Sequence, residues 1–502
     1  MTITKKTITK YINNSGYRPV RIRELSRKLK VNTQEYRVFR RLIKELTSDG
    51  KLARLKHGRI GLCEPHLTVS GTLSITRSGR GFVMPEDDSP EIVIPDRLLA
   101  GALDGDTVRV RLTGNYSRSK PTGEILQVKK RTTKQLVGSF KSSRFGDFVR
   151  PDNPRIRDDI QVTMPKSLRI EEGMKVVVQL TPWTDPYSPL QGKIIKVLGR
   201  PGDPGVDILT VIHQYNLPIE FPAAVLREAD RYAGRISAGE LQRRLDLRRK
   251  IIFTIDPEDA GDHDDAISIE RTRTGYRLGV HIADVSHYVT VGGHLDKEAR
   301  KRSFSAYLVD RVIPMLPERL SNNLCSLQEK EDRLTLSVFI DLDHQGDILS
   351  YDLTPSVIRS QASLNYKQVQ QFLDNGTGFE KQKRIGDKLK LTDEVARLQL
   401  TQRLNAGSLD LESPEYKVIL DNGGQVVAIE KRQRQMSNRI IEEFMLLANK
   451  VVAREFLRKN IPILYRVHPP PDETKIATFA AFAETLGFKP SFGSPPQVKL
   501  IS

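Results

Sequence analysis

The spacing of apolar residues takes three forms along the 502-residue chain. Within residues 1–67 apolar side chains recur every three or four positions, which is typical of amphipathic helices. From 68 to 200 they alternate with polar residues in short runs between Gly, Pro and Asp, which predicts β-strands joined by turns. From 201 to 502 both patterns are mixed. Because the chain is too long for one ordinary core, we expect several domains that follow these changes.

The first region predicts helices followed by a short hairpin. Ile22, Leu25 and Leu29 lie at i, i+3 and i+7, as on one face of a helix. A second predicted helix carries Phe39, Leu42, Ile43 and Leu46 at the same kind of spacing. The stretch KLARLKHGRIGLC then favours two short strands around a turn at His57-Gly58. This order resembles a winged helix-turn-helix, and a small helical domain with a solvated basic surface is the alternative.

The second region contains an internal repeat. One set of strands begins with VSGTLSITRSGRGFVMPEDD and the other with LVGSFKSSRFGDFVRPD, and each continues to a Gly-x-x-Val-x-Val strand. The repeat predicts two tandem five-stranded β-barrels of the OB or cold-shock type, at residues 68–133 and 134–200. Barrels of this type bind single-stranded nucleic acid through basic grooves and stacked aromatic residues. Because aromatic residues are few here, a spacer role is the alternative.

Charge and hydropathy indicate the class of partner. The chain has 80 Lys and Arg against 62 Asp and Glu, and residues 1–67 alone contain 17 basic and 5 acidic residues. A basic skew of this size suggests nucleic acid or an anionic membrane. No run of about 18 apolar residues and no apolar signal sequence is present, so we expect no membrane insertion and a cytoplasmic location. The two cysteines, Cys63 and Cys325, lie far apart, which fits a reducing compartment.

One acidic stretch stands out against this basic background. IDPEDAGDHDDAISIE, residues 255–270, places six acidic side chains in ten residues. The four aspartates that form the pattern D-x5-D-x-D-D are Asp256, Asp262, Asp264 and Asp265. In an extended strand, Asp262 and Asp264 would share a face with their Cα atoms roughly 6.6 Å apart. The loop 257–261 would return Asp256 to their side, and the sequence that follows predicts a hairpin turning at Thr274-Gly275.

Carboxylates gathered in this way repel one another, each close pair by roughly 1 kcal/mol in water and by several times that when partly buried. A solvated acidic loop is the simpler interpretation, but the aspartates run directly into the apolar segment AISI. We therefore expect them at the edge of a core, neutralised by a divalent cation. Ligands that offer only oxygen favour Mg²⁺, with Mn²⁺ as an alternative. Two such cations would clamp a phosphodiester and activate water.

Five longer stretches of the third region resemble a known family. They are IDPEDAGDHDDAISIE, HIADVSHYV, AYLVDRVIPMLPERLSNNLCSL, DRLTLS and NRIIEEFMLLAN. They resemble the RNB catalytic domain of the ribonuclease II and ribonuclease R superfamily, and a helix-turn-helix before two barrels is closer to the ribonuclease R branch. The resemblance implies a multidomain α+β protein whose residues 201–502 form a mixed α/β RNB domain. It also implies a processive 3′→5′ hydrolytic exoribonuclease that releases 5′-mononucleotides and uses Mg²⁺.

The resemblance also implies roles for individual residues. The four aspartates of the acidic stretch match the metal-site aspartates of the family, and Asp264 matches the one needed for cleavage. Tyr307 matches the tyrosine that stacks on the base at the 3′ end. Tyr366 and Glu443 match residues that contact the terminal nucleotides and their ribose. For these last three residues, packing within the core is the alternative.

The family's catalytic domain continues past the segment GFKPSFGSPPQVKLIS that closes this sequence. The family has an arginine-rich motif of the type S-P-I-R-R-Y and an S1 barrel in that further portion. The resemblance therefore predicts an incomplete catalytic domain with an exposed apolar face within residues 201–502.

Three functions stay open at this point. The first is an exoribonuclease that acts on single-stranded RNA with a 3′ end. The second is a catalytically impaired or inactive RNA-binding protein, and the third is a transcription factor that uses the winged helix. The basic N-terminus leaves the ribosome or other RNA-decay proteins open as partners.

Overall fold

The computed structural model describes most of the chain, with gaps. The described residues are 4–12, 20–32, 35–48, 52–55, 59–62, 68–87, 89–113, 121–165, 169–182, 189–408, 410, 414–467, 469 and 471–488. The predicted turn at residues 57–58, Cys63 and the segment 489–502 lie outside them. The chain divides into two compact units, Met1–Asn216 and Leu217–Ser502.

The N-terminal part of the first unit combines helices with a small sheet. Its helices are α1 (Lys5–Ile12), α2 (Ile22–Lys28) and α3 (Tyr36–Ser48), and its strands are β1 (Val20–Arg21), β2 (Leu52–Leu55) and β3 (Arg59–Leu62). The strands form a sheet in the order β1-β3-β2. Leu25, Phe39, Ile43 and Leu46 are buried in one core, which confirms the apolar spacing that predicted α2 and α3.

Within the described part of residues 68–199, ten strands follow in two sets of five. They are β4 (Thr68–Ile75), β5 (Gly81–Pro85), β6 (Ile92–Ile94), β7 (Thr107–Leu112), β8 (Gly123–Lys130), β9 (Gln135–Ser143), β10 (Gly146–Pro151), β11 (Ile160–Thr163), β12 (Lys175–Leu180) and β13 (Gln191–Gly199). The second set is a closed barrel, β10-β11-β13-β12-β9. The first set is a five-stranded sheet in the order β6-β5-β4-β7-β8, with an isolated bridge between Val93 and Thr122. A short 3-10 turn, Asp96–Leu98, follows β6.

Two arginines connect the two sets of strands. Arg155 Nη1 donates to Asp104 Oδ2 and Arg157 Nη1 donates to Asp96 Oδ2, each at 2.7 Å. Gly79 leaves room for this contact, because a Cβ atom there would lie 2.6 Å from the guanidinium carbon of Arg157. The guanidinium group also donates to the Ser78 carbonyl.

Helix α4 (Val206–Gln214) packs on the second barrel. Val206 is buried with Val137, Val177 and Leu198, which come from β9, β12 and β13. The first compact unit therefore extends to Asn216, beyond the predicted domain end at residue 200.

The second unit is built on a seven-stranded sheet. Its strands and those of two small hairpins are β14 (Leu245–Asp246), β15 (Phe253–Asp256), β16 (Asp265–Arg271), β17 (Gly275–Ala283), β18 (Ala306–Tyr307), β19 (Val312–Ile313), β20 (Asp332–Asp343), β21 (Ile348–Arg359), β22 (Ala362–Asn365), β23 (Glu415–Leu420) and β24 (Val426–Arg432). The large sheet has the order β14-β21-β20-β17-β16-β15-β22. The predicted hairpin turn is confirmed: Thr272 N donates to Gly275 O at 2.8 Å, and Gly275 has a φ of +146°.

Helices cover both faces of this sheet. They are α5 (Ala223–Asp230), α6 (Ala238–Arg243), α7 (Val285–Tyr288), α8 (His294–Arg302), α9 (Tyr366–Asn375), α10 (Lys383–Asn405), α11 (Met436–Arg458) and α12 (Glu473–Thr485), with short turns at Arg319–Leu324 and Glu380–Gln382. Side chains of β16 alternate between two cores, as a strand requires. Ile267 and Ile269 join the core that contains α9, α10 and α11, whereas Ala266 joins the core that contains α5 and α8.

Large apolar side chains are exposed in the C-terminal part of the second unit. On β24 they are Val426, Val427 and Ile429, and further along the chain they include Leu457, Leu464, Val467, Phe479 and Phe482. None of the described helices is both long and apolar enough to cross a lipid bilayer.

Candidate functional site

The acidic stretch lies at one edge of the large sheet. Asp256 ends β15 and Asp265 begins β16. These strands are antiparallel neighbours, with Phe253 opposite Ile267, so the end of one and the start of the other meet at the same edge. The loop therefore returns Asp256 beside the other aspartates, as predicted. The expectation that Asp262 and Asp264 lie in an extended strand is wrong, because β16 begins only at Asp265.

The segment that follows a turn at residues 319–324 holds the acidic loop in place. Ser326 Oγ accepts from the His263 backbone N–H at 3.1 Å and donates to the Gly261 carbonyl at 3.0 Å. Leu327 N donates to the His263 carbonyl at 2.9 Å. These contacts fix the loop through its backbone and through the Ser326 hydroxyl.

The aspartates lie close enough to affect one another's protonation. Burial, followed by the charges of Asp256 and Asp264, raises the pKa of Asp265 to about 6. Loss of solvent within the loop, followed by the charges of Asp262 and Asp256, raises the pKa of Asp264 although its side chain keeps access to water. In both carboxylates the charged form is disfavoured first by burial and then by the charges of neighbouring aspartates.

His263 is the residue whose part in the cluster the sequence did not reveal. Its Nδ1 lies 2.7 Å from Asp256 Oδ2. This bond and the charges of Asp256, Asp262 and Asp264 raise the pKa of His263 against the effect of burial. The position of His263 between two aspartates in the sequence could have indicated that it belongs to the cluster. Its pairing with Asp256 could not be predicted, because it depends on how the loop folds back.

Tyr307 stands on the hairpin formed by β18 and β19, and its ring is exposed. Its hydroxyl donates to Asp262 Oδ2 at 2.8 Å. This bond and partial burial raise the pKa of Tyr307 to about 12, so the phenol stays protonated and remains a donor. The structure therefore brings Tyr307 and the acidic cluster together.

Tyr366 is the first residue of α9, which Asn365 caps by accepting from Gln368 N at 2.8 Å. Burial, followed by the charges of Asp256 and Asp265, raises the pKa of Tyr366 to about 12. This phenol therefore also lies within electrostatic reach of the cluster.

A cavity of about 470 Å³ lies beside Tyr366 and the first part of the acidic loop. Its lining residues are Pro257, Glu258, Asp259, Asn365, Tyr366, Lys367, Glu415, Lys417, Arg432, Gln433, Arg434, Gln435 and Asn438. Lys417 Nζ donates to Asp259 Oδ2 at 2.9 Å, and this bond lowers the pKa of Asp259. The hairpin β23–β24 is thereby tied to the acidic loop.

Glu443 is placed differently from the other predicted site residues. It is buried in α11, and Arg403 donates to its carboxylate from Nη2 at 2.6 Å and from Nε at 3.0 Å. Its neighbour Glu442 is held by Arg434, which lines the cavity beside Tyr366. In this structure Glu443 acts as the partner of Arg403, and Glu442 pairs with a residue that lines the cavity.

The donor chemistry of the acidic loop fits a hard divalent cation, since Asp256, Asp262, Asp264 and Asp265 offer only carboxylate oxygens at one edge of the sheet. No group of three or more His, Cys, Asp or Glu side chains in the described part of the chain is already arranged to hold a metal ion. The raised pKa values of Asp264 and Asp265, caused by burial and then by neighbouring aspartates, give a second reason for the fit. A nearby cation would stabilise the charged form of both carboxylates.

Comparison with known families matches most of the chain. The RNB domain matches residues 244–499, the cold shock domain residues 148–222 and the ribonuclease B OB domain residues 71–128. A ribonuclease R of Thermotoga maritima is 40% identical over 98% of this chain and 69% of its own length. The chain spans about two thirds of the length of the curated relatives it matches.

Solved structures give the same picture. A ribonuclease R of Mycoplasma genitalium in complex with ribose-methylated single-stranded RNA has a TM-score of 0.79 and 28% identity, over 86% of this chain and 69% of that one. Yeast Ssd1, a pseudonuclease, has a TM-score of 0.61 at 19% identity over 89% of this chain and 60% of its own, and shares the fold alone. The family matches and the 40% identity to a ribonuclease R together identify the group. The chain belongs to the RNB superfamily and, within it, to ribonuclease R.

Proposed function

We propose that this chain is a metal-dependent exoribonuclease that removes 5′-mononucleotides from the 3′ end of single-stranded RNA by hydrolysis. The observation that carries the proposal is the group of four aspartates at one sheet edge, where two of them have raised pKa values. A structural cluster of carboxylates normally has cationic partners. One that repels itself favours a site for divalent cations.

The residues proposed to hold Mg²⁺, or Mn²⁺ in its place, are Asp256, Asp262, Asp264 and Asp265. A divalent cation bound there would lower the pKa of bound water and draw charge from the scissile phosphate. The protein's own part is to hold these carboxylates at fixed places. Asp256 and Asp265 are borne by strands, and the loop between them is tied to Ser326 and Leu327.

Two tyrosines are proposed to hold the RNA end. The exposed ring of Tyr307 offers a stacking surface beside Asp262. Tyr366 lines the cavity of about 470 Å³ and lies within electrostatic reach of the cluster. Stacking on aromatic side chains is a common means of binding unpaired RNA bases. The complex of the Mycoplasma genitalium relative with single-stranded RNA supports the same class of ligand. A ribose contact by Glu443 would require the pair with Arg403 to open.

The first unit is proposed to guide RNA towards this site. Its strand sets are of the OB type, and its N-terminal part is proposed to be a winged helix-turn-helix with Arg37, Arg40 and Arg41 exposed on α3. The same basic surface is the proposed contact for the ribosome or other RNA-decay proteins. Binding by such a surface would weaken steeply with salt.

The second candidate is an RNA-binding protein without catalytic activity. The observation that favours it is the similarity of the fold to that of a pseudonuclease. Because a pseudonuclease has this fold, the fold alone does not imply nuclease activity. The two candidates differ in one outcome. The enzyme degrades RNA when Mg²⁺ is present, whereas the binding protein retains RNA intact whatever the metal.

The test is incubation of the purified chain with single-stranded RNA labelled at the 5′ end or at the 3′ end, with Mg²⁺ or with EDTA. We expect labelled mononucleotide to appear at once from the 3′-labelled strand and the 5′-labelled strand to shorten progressively. Asp264→Asn should slow this on the order of a hundredfold or more. Asp374→Asn, an exposed position at the end of α9, is the matched control. Intact RNA in every reaction, together with normal RNA binding, would support the second candidate instead.

A further inference from the structure

The hairpin that carries Tyr307 exposes an apolar surface next to the acidic cluster. Tyr307 and Val312 are direct partners across β18 and β19, and they are 66% and 47% exposed. Direct partners in an antiparallel pair place their side chains on the same face, with Cβ atoms about 5 Å apart. The ring and the isopropyl group therefore lie side by side on one face of the hairpin, and each is partly exposed.

The backbone of this hairpin is held at both ends. Leu308 N donates to the Arg311 carbonyl at 2.9 Å and closes the turn. At the open end, Met315 N donates to Ser305 Oγ at 3.0 Å. Since the backbone is fixed, the orientation of the Tyr307 ring depends mainly on what its hydroxyl contacts.

That contact is with a carboxylate of the cluster. The Tyr307 hydroxyl donates to Asp262 Oδ2 at 2.8 Å, which leaves Oδ1 of the same carboxylate for another ligand. One hydrogen bond thus fixes both the ring and the carboxylate. A hydrogen bond from outside a metal site orients the ligand, and its loss typically costs 10- to 100-fold in metal affinity or activity.

We infer that the Tyr307 hydroxyl is a positioning group that couples binding of the terminal RNA base to binding of a divalent cation at Asp262. Val312 completes the surface on which the base rests. The inference rests on the proposed function and adds to it a link between two ligands. A base on the ring keeps the hydroxyl at Asp262, and a cation at Asp262 keeps the ring in place. Such coupling must be equal in both directions.

The first measurement is direct binding of Mn²⁺, followed by electron paramagnetic resonance. Tyr307→Phe keeps the ring and removes the hydroxyl, and we expect its dissociation constant for Mn²⁺ to rise about tenfold. Tyr215→Phe, at an equally exposed tyrosine in the first unit, should leave Mn²⁺ binding unchanged. Because Tyr307 is exposed, the substitution leaves the core intact, and an unchanged thermal unfolding curve checks this.

The second measurement tests the coupling itself. The Mn²⁺ titration is repeated with a ribose-methylated single-stranded RNA, the kind of strand with which the Mycoplasma genitalium relative was solved. In the unaltered chain the RNA should tighten Mn²⁺ binding several-fold, and in Tyr307→Phe this ratio should fall to about one. Val312→Ala should weaken RNA binding several-fold and leave Mn²⁺ affinity without RNA unchanged. Val291→Ala, 90% exposed and outside the hairpin, is its control.

The outcomes separate this inference from the proposed function. If the unaltered chain binds Mn²⁺ and RNA, and Tyr307→Phe shows the same affinities and the same ratio, the coupling is refuted while the function stands. If the unaltered chain binds no Mn²⁺ at all, the proposed metal site is refuted and the coupling with it. If Val312→Ala binds RNA as tightly as the control, the base does not rest on this surface.

Discussion

Two carboxylates in the unit Leu217–Ser502, one buried and one half-buried, differ in their partners. Asp284 is buried; burial pushes its pKa up, but bonds from Ser286 and Arg244 outweigh this, so its pKa lies below the usual value. Arg244 Nη2 donates to it at 2.6 Å. Asp265 has Asp256 and Asp264 beside it instead, and its pKa is raised to about 6. Burial acts in the same direction on both, so the neighbour decides whether the charge is stabilised.

This difference separates a structural carboxylate from a functional one. Asp284 closes a network in which Arg244 also binds Glu240 at 2.9 Å, and that network is complete within the chain. The cluster around Asp265 is incomplete within the chain, which is why it is expected to take a ligand. Removal of a charge should therefore have opposite consequences at the two places.

The largest effect on stability is expected at the paired carboxylate. Asp284→Asn removes one of the two carboxylates that bind the buried side chain of Arg244, and we expect the free energy of unfolding to fall by roughly 3 kcal/mol. Urea-induced unfolding measures this. Asp393→Asn, which pairs with an exposed Arg397 one helical turn away, is the control and should change stability by about 0.5 kcal/mol or less. An equally small change in Asp284→Asn would mean that the pair is not structural.

A smaller effect is expected from pH at the unpaired carboxylate. The folded pKa of Asp265, about 6, lies above its ordinary value, so the folded chain binds a proton between about pH 4 and pH 6 that the unfolded chain releases. Stability from this group therefore falls as pH rises through that window and levels off above it. The difference in unfolding free energy between the unaltered chain and Asp265→Asn should change by about 2 kcal/mol between pH 4.5 and 7.

The pH measurement is made in EDTA so that no cation offsets the repulsion. A pH-independent difference between the two proteins would mean that Asp265 has an ordinary pKa in the folded chain. The contribution of Asp284 to the free energy of unfolding should not change in the same window. Because its pKa is lowered, this contribution is lost only in more acidic solutions.

An exposed ion pair gives a third value for the effect of charge removal on the free energy of unfolding. Arg157 pairs with Asp96, and both side chains are about half exposed. Arg157→Ala should lower the free energy of unfolding by no more than about 1 kcal/mol, measured by thermal unfolding at low and at high salt. A loss as large as that of Asp284→Asn would show that the contact between the two strand sets is more than a surface pair.

The smallest effect on stability is expected at Asp264. This carboxylate keeps access to solvent, so removal of its charge by Asp264→Asn should change the free energy of unfolding by only about 0.5 kcal/mol or less. The same variant should lose RNA hydrolysis, which sharpens the contrast with Asp284. Urea-induced unfolding of both variants in parallel decides this, and a collapse of stability in Asp264→Asn would assign Asp264 a structural role.

The sequence predicted what depends on local patterns. Alternation of apolar residues gave the strands on both sides of the acidic loop, and Thr274-Gly275 gave the turn. The prediction from the sequence placed Asp262 and Asp264 in a strand, because a run of aspartates has no periodicity that marks where the loop ends. The loop continues to Asp264, and its end is set by contacts with Ser326 and Leu327, which lie more than sixty positions away.

Pairings between distant residues could not be predicted. Arg403 and Glu443 meet because α10 and α11 pack together, and Lys417 reaches Asp259 from a separate hairpin. No local pattern marks either partner, so the sequence left the role of Glu443 between a ribose contact and packing. The domain boundaries, the metal and the roles of the site residues stay predictions.

Two of the four aspartates lie on strands and two lie on the loop, and this difference affects which sequence changes homologues can tolerate. Asp256 and Asp265 terminate neighbouring strands, so their separation is set by the spacing of the sheet and is insensitive to loop length. Asp262 and Asp264 lie on the loop that connects these two strands. An insertion after Pro257 would leave the strand-borne pair where it is and displace the loop-borne pair. A viable homologue can therefore vary in sequence along this loop far more easily than in length.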